Sequence, residues 1–170
     1  HEQEIAALAK EILHVPVVCG YELSSGLGVN ERTITCVMNA RRIPVIEELI
    51  QSVNKVLDEF GIDAPLMIVK GDGSVMSEEM AKIRPVETIL SGPASSINGA
   101  KKLSGKDNAI VVDIGGTTTH IGIVRDGKPR LDPEGALIGG YRTRVMAAEI
   151  TTAGMGGDSR IVINGEKVYL

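Results

Sequence analysis

Ile110-Val111-Val112-Asp113-Ile114-Gly115-Gly116-Thr117-Thr118-Thr119-His120-Ile121-Gly122-Ile123-Val124 reads as strand, tight turn, strand. Three apolar, mostly β-branched residues lead into Asp113, and a second β-rich run follows the glycines and threonines. Glycine lets the backbone turn sharply and lets an anion reach main-chain N–H groups with no Cβ in the way. Gly115, Gly116, Thr117, Thr118 and Thr119 are therefore candidate phosphate ligands. Asp113, at the strand end, is a candidate to hold Mg²⁺ through water, because that ion takes few carboxylates and keeps several waters. The same pattern also serves as a plain Gly-Gly hairpin that binds nothing, and the local sequence leaves both readings open. It is not a P-loop, since no lysine follows the glycines, and not a dinucleotide fingerprint, since a strand follows them rather than a helix.

The hairpin sits in a chain of 170 residues with a formal net charge of −4. That length suits one domain or two small lobes. The acidic balance argues against a nucleic-acid surface, and an aromatic content of 2% leaves few platforms for stacking bases. Cys19 and Cys36 form no C-x-x-C pair and histidine is scarce, so a structural zinc site is not expected and both thiols are read as reduced core residues. No apolar run approaches the ~20 residues of a membrane span, and His1-Glu2-Gln3-Glu4 carries no basic leader. The expectation is a cytoplasmic protein with no nucleic-acid or membrane partner. The first residue is not methionine, which suggests an excised piece of a longer chain.

Upstream, Ile5, Leu8, Ala9 and Ile12 share one helical face of residues 4–13. Val15 to Cys19 reads as a buried strand and residues 20–28 as a Ser/Gly loop. Residues 31–40 are β-branched, but Ile34, Val37 and Met38 keep helical spacing and Asn30 is a suitable N-cap. They are read as helix, joining another after Pro44 in which Val45, Ile46, Leu49, Ile50, Val53, Val56, Leu57 and Phe60 hold the i, i+3, i+4 rhythm and Gly61 supplies the stop. Leu66 to Val69 reads as a buried strand, so residues 15–69 are expected to form β–α–β with a parallel pair. Ser77 is placed to cap a short helix with Glu78 and Glu79 in its first turn. Ser91-Gly92-Pro93 opens another helix that runs to about Leu103. Downstream, one short strand is expected near Pro129–Leu131, and at most one between 132 and 148, around Tyr141–Val145. Ile150 to Ser159 reads as a second glycine loop, and Asn164-Gly165 as a hairpin turn between Ile161–Ile163 and Lys167–Leu170.

Taken in order, Glu31-Arg32-Thr33, Asn39-Ala40, Pro44, Lys70-Gly71-Asp72-Gly73, Pro85-Val86-Glu87-Thr88-Ile89-Leu90-Ser91-Gly92-Pro93-Ala94, Asp113-Ile114-Gly115-Gly116-Thr117-Thr118-Thr119 and Thr152-Ala153-Gly154-Met155-Gly156-Gly157-Asp158-Ser159 form a specific series. It closely resembles the hydantoinase/oxoprolinase family, which also has acetone- and acetophenone-carboxylase relatives. The resemblance runs from about residue 3 to the C-terminus. It implies an α/β fold of ribonuclease-H-like, actin-like ATPase lobes with mixed sheets, as in the wider superfamily of actin, heat-shock chaperones and sugar kinases. Residues 1–84 would close the first lobe, and residues 85–170 would supply a crossover helix and the opening strands of the second. The family carries two Asp-Gly-Gly-Thr hairpins and this chain carries one, so it is read as an internal fragment, inactive alone.

The resemblance further implies an ATP-dependent hydrolase that phosphorylates a cyclic amide, hydantoin-like or 5-oxoproline-like, so that water can open the ring. ATP and Mg²⁺ would be the cofactors, with a second hydantoinase subunit as a possible partner. Asp113 would be the catalytic and metal-orienting residue, Gly115 to Thr119 the phosphate loop, and Gly154, Gly156 and Gly157 would line the nucleotide, where a side chain would clash. The alternatives are an acetone-carboxylase-like subunit and a non-catalytic, nucleotide-binding regulatory homologue. The chain departs from the family pattern at His120, where an acid is usual, at Glu149, where a histidine is usual, and at Met155 and Asp158 in the second loop. His120 is read either as a packing residue or as a ligand.

Overall fold

The computed structural model describes residues 1–164 and 167–169. Helix α1 (Glu2–Leu13) forms where the periodicity places it, but its Ile5, Leu8 and Ile12 face is exposed and none of its residues is buried. The strand expected at Val15–Cys19 does not form; the segment is irregular and only Cys19 in it is buried. Strand propensity expresses fit to a pleated, half-buried surface, and this run has no neighbouring strand to supply one. A single turn, α2 (Gly20–Leu23), replaces the start of the expected loop, closed by a 2.8 Å bond from the Cys19 amide to Glu22 Oε2.

Helix α3 (Val29–Glu59) unites the two helical readings in 31 residues. It starts after Gly28, so Asn30 lies inside it and is not the cap. Pro44 removes one i→i−4 bond, yet the helix continues through it. Thr35, Asn39, Ile43, Ile46 and Ile50 make one buried stripe along both halves. Asn39 anchors that stripe: its Nδ2 donates to the Ile83 carbonyl at 2.9 Å, and its Oδ1 accepts from the Val86 amide at 3.1 Å.

Strands β1 (Met67–Val69) and β2 (Val75–Ser77) pair antiparallel, with Ile68 opposite Met76. This replaces the expected parallel β–α–β unit. The cause is local. In Lys70-Gly71-Asp72-Gly73-Ser74 the Gly73 amide donates to the Lys70 carbonyl, and the Asp72 carboxylate accepts from the amide and hydroxyl of Ser74, so the chain reverses at once. Helix α4 (Glu78–Ile83) begins as expected, with Ser77 Oγ accepting from the Met80 amide. A 3₁₀ turn (Pro85–Thr88) leads to α5 (Ser91–Ser104).

The predicted hairpin forms as β3 (Ala109–Ile114) and β4 (Thr119–Arg125). Strand β5 (Lys128–Pro129) is the short third strand, and Leu131 bridges to Ala148. Between 132 and 148 there are two strands, β6 (Leu137–Ile138) and β7 (Tyr141–Arg142), where at most one was expected. Gly139 and Gly140 both adopt positive φ, 56° and 83°, and join them by a two-residue turn. Ile150–Ala153, expected as loop, is strand β8 and pairs antiparallel with β4 from Gly122 to Thr119. Thr119 to Gly122 thus pair with β3 and β8 at once, which puts β4 at the centre of the sheet. Strands β9 (Val162–Asn164) and β10 (Lys167–Tyr169) pair with Asn164 opposite Lys167, in line with the expected hairpin. Asn164, expected in the turn, ends β9, and Gly165, Glu166 and Leu170 lie outside the described residues.

One face of this sheet packs on α5 through Ala94, Ile97, Val124 and Ala148. Ile97 occupies the space that a side chain at Gly122 would need. The other face leaves Ile110, Val112 and Ile114 exposed. Two further clusters, Leu23–Val86–Ile89–Val145 and Ile46–Ile50–Met76–Ala81, complete the core. No helix of the described residues is long and apolar enough to cross a membrane.

Candidate functional site

The tip of the β3–β4 hairpin is residues 115–118, closed by a 2.9 Å bond from the Gly115 amide to the Thr118 carbonyl. Among the described residues, the amides of Gly116, Thr117 and Thr118 have no main-chain acceptor. They belong to a tight turn whose residues 115–117 are exposed. Successive unpaired N–H groups in a turn are suited to an anion.

The second glycine loop, residues 154–159, lies directly on this tip. The Gly157 amide donates to the Gly115 carbonyl at 2.9 Å, and the Asp158 amide to the Gly116 carbonyl at 2.8 Å. The loop is braced internally, with the Gly156 amide donating to Ser159 Oγ and the Ser159 amide to the Gly156 carbonyl, both at 3.0 Å. Two stretches about 40 residues apart are thus zipped backbone to backbone. A Cβ on Gly156 would overlap the Gly116 carbonyl oxygen and come within 2.6 Å of that of Gly115. Gly156 is therefore required for the close approach of two loops, a reason the sequence reading did not contain. Gly154, in contrast, has nothing within 4 Å of a built Cβ, and Gly157 has only the Gly115 carbonyl, at 3.8 Å.

The three threonines have different surroundings. Thr117 is exposed and Thr118 is half-buried at the tip. Thr119 is buried, and its hydroxyl donates to the Met155 carbonyl at 2.6 Å, so that side chain ties the hairpin to the second loop. His120 is half-buried and links the hairpin tip to β8 from the other face. Its Nδ1 lies 3.0 Å from Thr152 Oγ1, and its Nε2 lies 3.4 Å from Thr118 Oγ1. Asp113 is half-buried at the end of β3, in register with His120 across the hairpin, and His120 is in register with Thr152 on β8. Asp113, His120 and Thr152 therefore form one row on the α5-facing side, because paired residues of adjacent strands share a face. Among the described residues, no group of three His, Cys, Asp or Glu could hold a metal unaided. A lone strand-end carboxylate beside an amide-rich turn instead suits an ion bound mostly through water and phosphate.

Glu149, just before β8, pairs with Arg130 (Nε to Oε2, 2.7 Å), so it serves an ion pair on the neighbouring segment. Asp158 is exposed, and its Oδ2 stands 3.0 Å from where a Cβ on Gly116 would be. A cleft of about 490 Å³ lies elsewhere, lined by residues that include Tyr21, Ser24, Arg84, Glu134, Arg144 and Met146, none of them at the hairpin tip. The sequence reading missed it because its lining comes from four separated segments, none with a local motif.

Residues 32–170 match the family model described as hydantoinase/oxoprolinase. The chain is 30% identical over 163 residues to caprolactamase subunit alpha of Pseudomonas jessenii, covering 94% of this chain and 23% of that protein. It is 24% identical over 168 residues to the acetophenone carboxylase gamma subunit of Aromatoleum aromaticum, again covering 94% and 23%. Among solved structures, the ATP-dependent caprolactamase from Pseudomonas jessenii aligns with a TM-score of 0.78 at 29% identity, over 98% of this chain and 24% of that one. A nucleotide-free acetone carboxylase shares the fold, with a TM-score of 0.72 at 18% identity over 99% and 25%. The chain spans about a quarter of the length of these relatives. The expected α/β, actin-like architecture is the one found, except that every strand pair among the described residues is antiparallel where mixed sheets were expected.

Proposed function

The chain belongs to the hydantoinase/oxoprolinase family, and on that premise we propose that it carries one phosphate-binding hairpin of an ATP-dependent enzyme that opens cyclic amides. The observation that carries this reading is the zipped pair of loops, which holds the unpaired amides of Gly116, Thr117 and Thr118 in a braced turn. Donors fixed in advance lose little on meeting an anion, and phosphoryl transfer is catalysed mainly by positioning and charge neutralisation.

The residues fit ATP and Mg²⁺ in kind. Gly115, Gly116, Thr117 and Thr118 would hold phosphate oxygens through amides and hydroxyls. Asp113 would orient the ion or its water. Bound ATP would supply the phosphoryl group that activates the amide carbon toward water, with the ring nitrogen leaving as the ring opens. Within the chain, Thr119 holds the two loops together through the Met155 carbonyl, and His120 orients the Thr118 hydroxyl. Gly156 and Gly157 would act by docking their loop on the hairpin, and Gly154 would border the nucleotide with its open side.

The substrate is read as a lactam or related ring, supported by the 30% identity to a caprolactamase subunit. A carboxylase role is the second reading, supported by the acetophenone carboxylase relative. Both relatives are named as subunits, which supports a partner chain for this protein too. Residues 1–84 and 85–170 are proposed to belong to successive actin-like lobes, and the 170 residues alone are expected to bind nucleotide without turnover.

Two measurements test the reading. Mg-ATP should shift the amide resonances of residues 115–118 and 154–158, and unchanged resonances there would overturn it. Phosphate release by the whole protein should rise with caprolactam, hydantoin or 5-oxoproline. A rise with acetone and bicarbonate alone would install the carboxylase reading.

A further inference from the structure

Asp158 stands against the tip of the proposed phosphate cradle. Its amide is tied to the Gly116 carbonyl at 2.8 Å, and the preceding amide to the Gly115 carbonyl at 2.9 Å. Those two bonds fix the residue's backbone on the hairpin tip. Its carboxylate then lies against the bare side of Gly116, with Oδ2 3.0 Å from the position of an added Cβ. Gly116 has no side chain to hold an anion away, so a phosphate that reaches its amide meets this carboxylate at short range.

We propose that Asp158 is a selectivity residue of the hairpin: its charge discriminates against free polyphosphate and reserves the cradle for nucleotide already neutralised by a divalent cation. The inference rests on the phosphate-binding reading of the tip and adds the group that sets which charge state enters. The carboxylate is exposed and linked to the loop only through its backbone, so removing its charge leaves both inter-loop bonds in place. Like charges a few ångströms apart at a protein surface repel by an amount that salt reduces.

The test uses the whole protein and titrates ATP and adenosine in EDTA and in Mg²⁺. Variants are Asp158→Asn, Asp158→Glu and, as a charge-matched control on an exposed loop, Asp63→Asn. Asp158→Asn should bind ATP in EDTA about three- to tenfold tighter than the parent, a ratio that falls as salt is added. It should gain nothing for adenosine, which has no phosphate, and little for Mg-ATP. Asp158→Glu and Asp63→Asn should behave like the parent. Equal ATP affinity of Asp158→Asn and parent in EDTA, or an equal gain for adenosine, overturns the charge role while leaving the hairpin reading intact. Absence of ATP binding in every arm, Mg²⁺ included, overturns the hairpin reading and the inference with it.

Discussion

The two glycine loops, 115–118 and 154–159, look alike as sequence and differ as structure. In the hairpin tip, the amides of Gly116, Thr117 and Thr118 have no main-chain acceptor among the described residues. In the second loop, the absent side chain at Gly156 lets one backbone lie on another. One loop would use glycine to admit a ligand, and the other uses it to admit a neighbour. The lesson is that a glycine's role depends on what stands within 4 Å of its missing Cβ, and no local pattern gives that. Gly154 and Gly156 are two residues apart in the same loop and fall on opposite sides of the distinction.

The sharpest way to break this contrast is Gly156→Ala. The new methyl would collide with the carbonyls of Gly115 and Gly116, which are backbone atoms that cannot rotate away. A loss of about 2–4 kcal/mol is expected, the range of overpacking and strained sites. Faster hydrogen exchange at the Gly157 and Asp158 amides should accompany it. Native-like exchange would show that the loops are not zipped.

Thr119→Val probes the same joint with less force. It nearly preserves shape and deletes the part-buried bond to the Met155 carbonyl. The expected cost is about 0.5–1.5 kcal/mol, the net worth of one such bond. Denaturant unfolding measures it, and a neutral result would mean the hydroxyl has no part in holding the loops.

A third glycine turn, 70–74, extends the comparison to charge. Burial raises the Asp72 carboxyl, but bonds from Ser74 and the Lys70 ammonium outweigh it and hold its pKa below the usual carboxylate range. A depressed carboxyl stabilises the fold above its unfolded pKa and loses that contribution as pH falls through the folded value. With solvent screening, Asp72→Asn should cost under about 1 kcal/mol at neutral pH, with the difference vanishing on acidification below the carboxylate range. A cost that persists in acid would assign the turn's stability to something other than this charge.

The smallest effect belongs to Gly154→Ala. Nothing lies within 4 Å of the added methyl, so stability should stay within about 0.5 kcal/mol of the parent. A large loss would erase the contrast with Gly156.

The hairpin at 109–125 and helix α3 were legible because each carries its own period over many residues. Ser77 was legible as a cap because its bond to Met80 is local. The parallel pair failed for the opposite reason. Val15–Cys19 and Leu66–Val69 are both short apolar runs, and nothing within either run names its partner. β8 was hidden because Ile150–Ala153 is a strand only through pairing with β4, about 30 residues earlier. In α1, the helical period was right while the inference of burial from it was not.

Asp113, Gly115, Gly116 and the threonines were nominated as candidates from chemistry written into adjacent residues, and adjacency survives folding. The second loop's seat on the first, Thr119's turn away from the cradle and Asp158's position against Gly116 depend on distances between residues about 40 apart. Periodicity and turn chemistry act over a few residues and can be read along the chain. Close approach of two backbones is a property of the pair, and it exists only once the intervening strands have brought the pair together.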